Sequence, residues 1–275
     1  MTAAPLLPDL QIAEQVPAER VRAFLGHDRL LSAYALADLD AAEIERARWW
    51  LASRDGRDVA AAVLVEALAF RPCFAFGETE ALAAIFRDGI REPRLVVSTQ
   101  PSGRIAVEAA YRLERVDRMH RMVVDIASFR PRVTQRVTRL GPDDLEDVID
   151  LYGHASRTYF TADRLAREIY YGIYVDRTLV SAAGTHVRSH RSGLAAVGNV
   201  LTRIAYRDRG MATTVTSAVT AAALEEHPDV VLNVRQENAP AIAVYERLGY
   251  RVHAPFIEGP AVRRSTWDRL LGRMR

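Results

Sequence analysis

Apolar positions along the chain change period several times, and each change predicts an element. From Pro17 to Leu25, and again from Asp28 to about Ser53, the spacing is helical, with Leu31, Tyr34, Ala35 and Leu39 on one face and "ARWW" at the end. "DVAAAVLVEALAF" and "RLVVST" read as strands around the helical "ETEALAAIFRDG". "RIAVEAAYRL" then predicts a helix and "MHRMVVDI" an extended segment. Trp49 and Trp50, as neighbours on a helix, would point about 100° apart, one to the core and one outward. The polar break "ASFRPRV", with Pro131, places a domain boundary between residues 130 and 131.

The second half starts over. "VTQRVTRL" predicts a strand, and "PDDLEDVIDLYGHA" a helix with Pro142 at its start and acids in the first turn, where the helix dipole favours them. "TADRLAREI" is a further short helix. "GIYVDRTLVSAAGTHVRSH" and "GLAAVGNVLTRIAY" alternate and hold turn residues, as antiparallel hairpin strands do. Both halves therefore read as α/β units, mixed α+β sheets with packed helices, in the order of a diverged tandem duplication.

Composition narrows the chemistry. All 37 basic residues are Arg, since the chain contains no lysine. That excludes a P-loop NTPase and a pyridoxal-phosphate enzyme, each of which needs a lysine. A net charge of only +2, with acids interleaved throughout, leaves no basic stripe for nucleic acid. No membrane-length apolar run and no secretion signal appear, so the expected location is the cytoplasm. Cys73 is the only cysteine, which excludes an internal disulfide and a cysteine-based zinc cluster; no metal is expected.

The stretch "YRDRGMATTVTSAVTAAALEE" carries the strongest chemical signal. A turn feeding a helix at Gly210 presents amide N–H groups without intrahelical partners, and with the helix dipole they form an anion site. Arg207 and Arg209 add positive charge, Gly210 permits close approach of a phosphate, and Ala212 leaves room. Met211, Val215, Val219 and Ala222 are spaced to seat the helix on a sheet. One strand later, Asn238 is a good helix N-cap, Pro240 sits in the first turn and Gly249 at the C′ position, with Ile242, Tyr245 and Leu248 on one inward face.

"RDRGMA" fits the Arg/Gln-x-x-Gly-x-Gly/Ala signature, and "LNVRQENAPAIAVYERLGYR" the Asn and Tyr-x-x-x-Gly-Phe/Tyr motif, of the GCN5-related N-acetyltransferase (GNAT) superfamily. "NVLT" before "YRDRGMA" resembles its FR47-like, glycine N-acyltransferase-like branch, although that branch usually has Pro where this chain has Ile204. The resemblance covers about Val133 to Arg264; the N-terminal half resembles at most a degenerate GNAT-like lobe. It implies a tandem GNAT-like acyl-CoA N-acyltransferase fold, with residues 1–130 as the degenerate domain and 131–275 as the catalytic one. It also implies acetyl-CoA as co-substrate, held by Val200, Leu201, Thr202, Arg207, Asp208, Arg209, Gly210, Met211, Ala212, Asn238 and Tyr245. The acceptor would be a small-molecule amine or amino acid; no nucleic acid or membrane is implied, and a homodimer is compatible.

In the resembling family this tyrosine lies by the coenzyme sulfur, so Tyr245 would be the general acid, with a reference pKa of about 10. Strand N–H groups around Val200 to Thr202 would hold the pantetheine arm and stabilise the oxyanion. The family often places a Glu on the strand before the phosphate loop, where this chain has Ala195, Ala196, Val197, Gly198 and Asn199. His186, with a reference pKa of about 6.5, is a candidate base. His186 and His190 together read more often as surface or hairpin residues. A water relay from Asn199 or Asn233, or an acceptor already partly neutral, would also serve, while Glu237 reads as a solvated acid. Two alternatives stay open: a non-catalytic acyl-CoA-binding regulatory protein, and a tandem enzyme resembling mycothiol synthase.

Overall fold

The computed structural model describes residues 10–40, 44–66 and 68–265. In chain order the elements begin with β1 (Gln11–Glu14), α1 (Ala18–Leu25), α2 (Ala33–Asp38), β2 (Ala47–Arg54), β3 (Arg57–Val65), β4 (Pro72–Gly77) and α3 (Thr79–Ala84). Next come β5 (Arg94–Thr99), α4 (Arg104–Glu108), β6 (Tyr111–Leu113), β7 (Asp117–Asp125), β8 (Thr138–Arg139), α5 (Leu145–Tyr152) and α6 (Ala162–Arg167). The chain closes with β9 (Tyr170–Val175), β10 (Thr178–Ser189), β11 (Leu194–Thr202), α7 (Met211–Leu224), β12 (Asp229–Arg235), α8 (Ala239–Arg247) and β13 (Arg251–Arg263). These residues divide into two compact units. One holds the described residues up to Met119 together with those from Pro255 onward, the other His120–Ala254.

In the first unit β1, β2, β3 and β4 join antiparallel, and β4 runs parallel to β5 with α3 on the crossover. The β2–β3 turn is Asp55-Gly56, both left-handed, as a two-residue type I′ hairpin requires. From Ile257 to Val262 β13 pairs with β5, and from Ala261 to Arg263 with β6. This pairing returns the last described residues to the first unit, whereas the boundary read at 130/131 groups them with the second.

The helix expected through Ser53 is a correction. α2 ends at Asp38, residues 41–43 lie outside the described residues, and "ARWW" opens strand β2. Trp50 and Ala52 face a core with Leu64, Phe86, Val97 and Tyr111, while Trp49 and Leu51 are buried on the other face. A strand covered on both faces loses its alternation, so its period cannot be told from a buried helix. "RIAVEAAYRL" is likewise split into α4 and β6. The strand expected to run to Phe70 stops at Val65, and Ala67 lies outside the described residues.

The second unit orders its strands β7-β12-β11-β10-β9-β8. β8, β9, β10 and β11 join antiparallel; β11 and β12 are parallel, linked by α7. Alternate strand residues feed two cores. Val180 and Ala183 pack with Val215, Val219 and Leu232 under α7. Leu179 and Ala182 pack with Val148, Phe160, Leu165 and Tyr170 under α5 and α6. The strand expected over "VTQRVTRL" narrows to Thr138–Arg139, because the preceding backbone and side chains bond to α7 instead. Arg132 N–H donates to Ser217 Oγ (2.8 Å), Thr134 Oγ1 meets Thr214 Oγ1 (3.1 Å), and Gln135 Nε2 donates to the Arg209 carbonyl (2.8 Å). This explains the small residues of α7: it is buried nearly all round, and Ala, Ser and Thr let a neighbouring chain approach its backbone. No helix among the described residues is long and apolar enough to cross a membrane.

Candidate cofactor site

The parallel ladder of β11 and β12 runs from Leu194 opposite Asp229 to Val197 opposite Leu232. Beyond it β11 bulges. Asn199 is left-handed at φ 51°, and the register with β10 slips between Ala182–Leu201 and Gly184–Gly198. The β11 edge that faced β12 is therefore left without a β12 partner around Val200 and Leu201. Thr202 is buried, its hydroxyl bonded to Ser181 Oγ at 2.8 Å, so its side chain serves the β10 contact.

A short 3-10 turn, Ile204–Tyr206, leads from β11 to the exposed segment Arg207–Gly210. Asp208 (φ 61°) and Gly210 (φ 75°) are both left-handed, the type of turn that gathers successive amides into an anion-binding concavity. The first helical bond is Thr214 N–H to the Gly210 carbonyl, 3.0 Å. The N–H groups of Arg209, Gly210, Met211 and Ala212 make no hydrogen bond among the described residues. Nothing lies within 4 Å of where a side chain on Gly210 would begin, so the space above it is open. Arg207 Nε donates to the Thr202 carbonyl (3.3 Å) and Arg209 to the Ala205 carbonyl (3.1 Å), the latter stacked 5.4 Å from the Tyr206 ring. Both guanidinium groups thus flank the turn they stabilise.

At the equivalent place in the first unit, α3 begins with Glu78 at its cap and Glu80 in its first turn, both paired with Arg54. Carboxylates at a helix N-terminus repel an anion. The first unit therefore lacks the chemistry of the α7 turn.

α8 is delimited as its sequence predicts. Asn238 Oδ1 accepts from Ala241 N–H at 3.2 Å. At the other end Gly249 N–H reaches the Glu246 carbonyl and Tyr250 N–H the Tyr245 carbonyl, both 3.0 Å, a Schellman closure. Tyr245 sits in the α7 core with its ring 6.0 Å from Tyr250, and burial pushes its phenol up to about 12.

His186 lies at the edge of the opposite core, beside Tyr159, and is half-buried. Its ring lies against Gly198, packs edge-on to Tyr159, and shares a hydrogen bond with Asn199. Burial, partly offset by Asn199, lowers it to about 4. The Asn199 amide also donates to Tyr170 (2.9 Å) and Tyr159 (3.3 Å), and its carbonyl accepts from the Tyr152 hydroxyl. This tyrosine cluster was not singled out in the sequence, because nothing in its spacing ties "DLYGHASRTYF" to a bulge some forty residues later. Asn233 is the first β12 residue past the ladder's end. It alternates with Leu232 and Val234, which face α7, and so projects from the other side; its Oδ1 is buried without a hydrogen-bond partner.

Residues 170–256 match the family model of FR47-like proteins. No protein of curated function matches this chain. Among solved structures it is similar to a GNAT-family protein from Novosphingobium aromaticivorans, at 22% identity and TM-score 0.55 over 74% of this chain and 89% of that one. It is similar to a GCN5-related N-acetyltransferase from Sphaerobacter thermophilus at 15% identity and TM-score 0.58 over 94% and 98%. A tandem GNAT protein from the clavulanic acid biosynthesis pathway aligns at 15% identity and TM-score 0.56 over 93% and 98%. The chain therefore shares the mixed α/β fold of these solved structures. The bulged β11, the α7 turn and α8 all lie inside the segment that matches the FR47-like model.

Proposed function

We propose that the second unit binds acetyl-CoA or a short acyl-CoA, and that the protein transfers the acyl group to the amine of a small molecule or amino acid by direct attack. The observation that carries this reading is the run of amides from Arg209 to Ala212, without acceptors, under open space at the N-terminus of a 14-residue helix. A diphosphate supplies the acceptors those donors lack. The unpaired edge of β11 suits an extended amide-bearing arm, and Tyr245, kept protonated by burial, donates to the departing thiolate.

The amine must be neutral when it attacks. His186, lowered to about 4, is too weak a base to take a proton from an ammonium group, so we assign it the orientation of Asn199. Asn233 Oδ1 is the buried acceptor at the strand opening, and it can hold the amine N–H or a relaying water. The weakness of His186 is also what favours the second reading, a non-catalytic acyl-CoA-binding protein.

Calorimetry with coenzyme A and thiol release from acetyl-CoA over a panel of amines separate the two. The enzyme reading expects binding and turnover, with both abolished in Gly210→Glu. Binding without turnover on any amine supports the regulator, and intact binding by Gly210→Glu removes the site from both.

A further inference from the structure

The far end of α7 carries a second cluster. His190 opens the turn after β10, Glu226 and His227 follow the last turn of α7, and their ligand atoms all lie within 4.8 Å of one another. His190 Nε2 is 3.7 Å and His227 Nε2 4.0 Å from the same oxygen, Glu226 Oε2; the two imidazole centroids are 4.6 Å apart. His227 is 1% exposed, and neither Nδ1 nor Nε2 has a hydrogen-bond partner among the described residues. An imidazole buried with both nitrogens unbonded is unfavourable unless something binds it.

The surroundings suit a cation. His227 N–H donates to the Ala223 carbonyl at 3.0 Å, fixing the residue at the C-terminus of α7, where the helix dipole is negative. Arg188 opposes, since it donates to Glu226 Oε2 at 2.9 Å. It also bonds the Arg167 carbonyl and lies 3.5 Å from Glu168, contacts it can keep when Glu226 turns to a metal.

We propose that His190, Glu226 and His227 bind a divalent transition cation of the zinc class, through two imidazoles and a carboxylate, with water completing a tetrahedron. Zinc bonds of about 2.0–2.1 Å set tetrahedral donor–donor distances of about 3.3 Å, so the donor atoms draw together by roughly 0.4–1.5 Å. The exposed His190, on a turn, supplies that movement. The site uses no thiol, so a composition with one cysteine does not exclude it, and it departs from the metal-free expectation of the sequence.

The test is calorimetric titration of the chelator-stripped full-length protein with zinc chloride, and with cobalt(II) to read the visible spectrum. One saturable equivalent and an intense tetrahedral cobalt band are expected. His190→Ala, an exposed change that leaves the fold intact, weakens zinc binding by about 10–100-fold. It also removes the rise in melting temperature with zinc, while coenzyme A binding stays unchanged. Absence of saturable binding, or zinc held as tightly by His190→Ala, overturns the site.

Discussion

A phenol pushed up to about 12 by burial alone stays protonated at neutral pH, so its proton is in place when the thiolate departs, while the same burial makes it a weaker acid than free tyrosine. Tyr245 has no charged neighbour acting on its proton, so its acidity is set by the core under α7. Tyr245→Phe keeps the ring and its contact with Tyr250. It is expected to lower kcat by about 100-fold or more with little change in coenzyme A affinity. A raised pKa favours the neutral phenol, so the wild-type rate should keep this donor until the pH approaches about 12, above the ordinary tyrosine value. Thiol-release rates across pH for both proteins check this; an unchanged kcat in the variant removes the acid role. On the opposite face Asn199 and Asn233 differ in kind. The first is saturated by three tyrosines and His186 and holds the bulge, while the second keeps an acceptor unspent.

At the scale of elements, what could be read from the sequence was what local rules decide. The α8 caps and the hairpin strands follow from residue type and position, and each stands as expected. β2 and the segment before β8 did not, because their conformation is set by partners far along the chain: β3 and a core on both faces for "ARWW", and α7 for Arg132 to Gln135. The anion turn was legible as a turn; the bulge at Asn199 and its tyrosine supports were not. Gly249 shows the two levels meeting. At φ 94° it closes α8, and a methyl group there would stand 2.0 Å from the Ser128 carbonyl oxygen. Gly249→Ala is thus expected to destabilise the protein by more than about 1 kcal/mol, seen as a lower urea midpoint. An unshifted midpoint would mean that Ser128 moves aside freely.

For the whole molecule, the order of the chain and the compact units do not coincide. The chain leaves the first unit after Met119 and returns to it at Pro255, within β13, so that β5 and β6 find their partner in residues 257–263. A fragment cut at the sequence boundary, 131–275, keeps those residues but loses both partners, and also loses the β7 neighbour of β12. Exposed strand edges of that kind promote association between copies. A fragment of residues 120–254 keeps β7 from His120 onward and omits the part of β13 that pairs with β5 and β6. Size-exclusion chromatography and thermal melts are expected to show 131–275 aggregated or without a cooperative transition, and 120–254 monodisperse with one. The reverse outcome would mean that the second unit draws its stability from residues beyond Ala254 rather than from β7. The cut at 130/131 would then mark the true unit of folding.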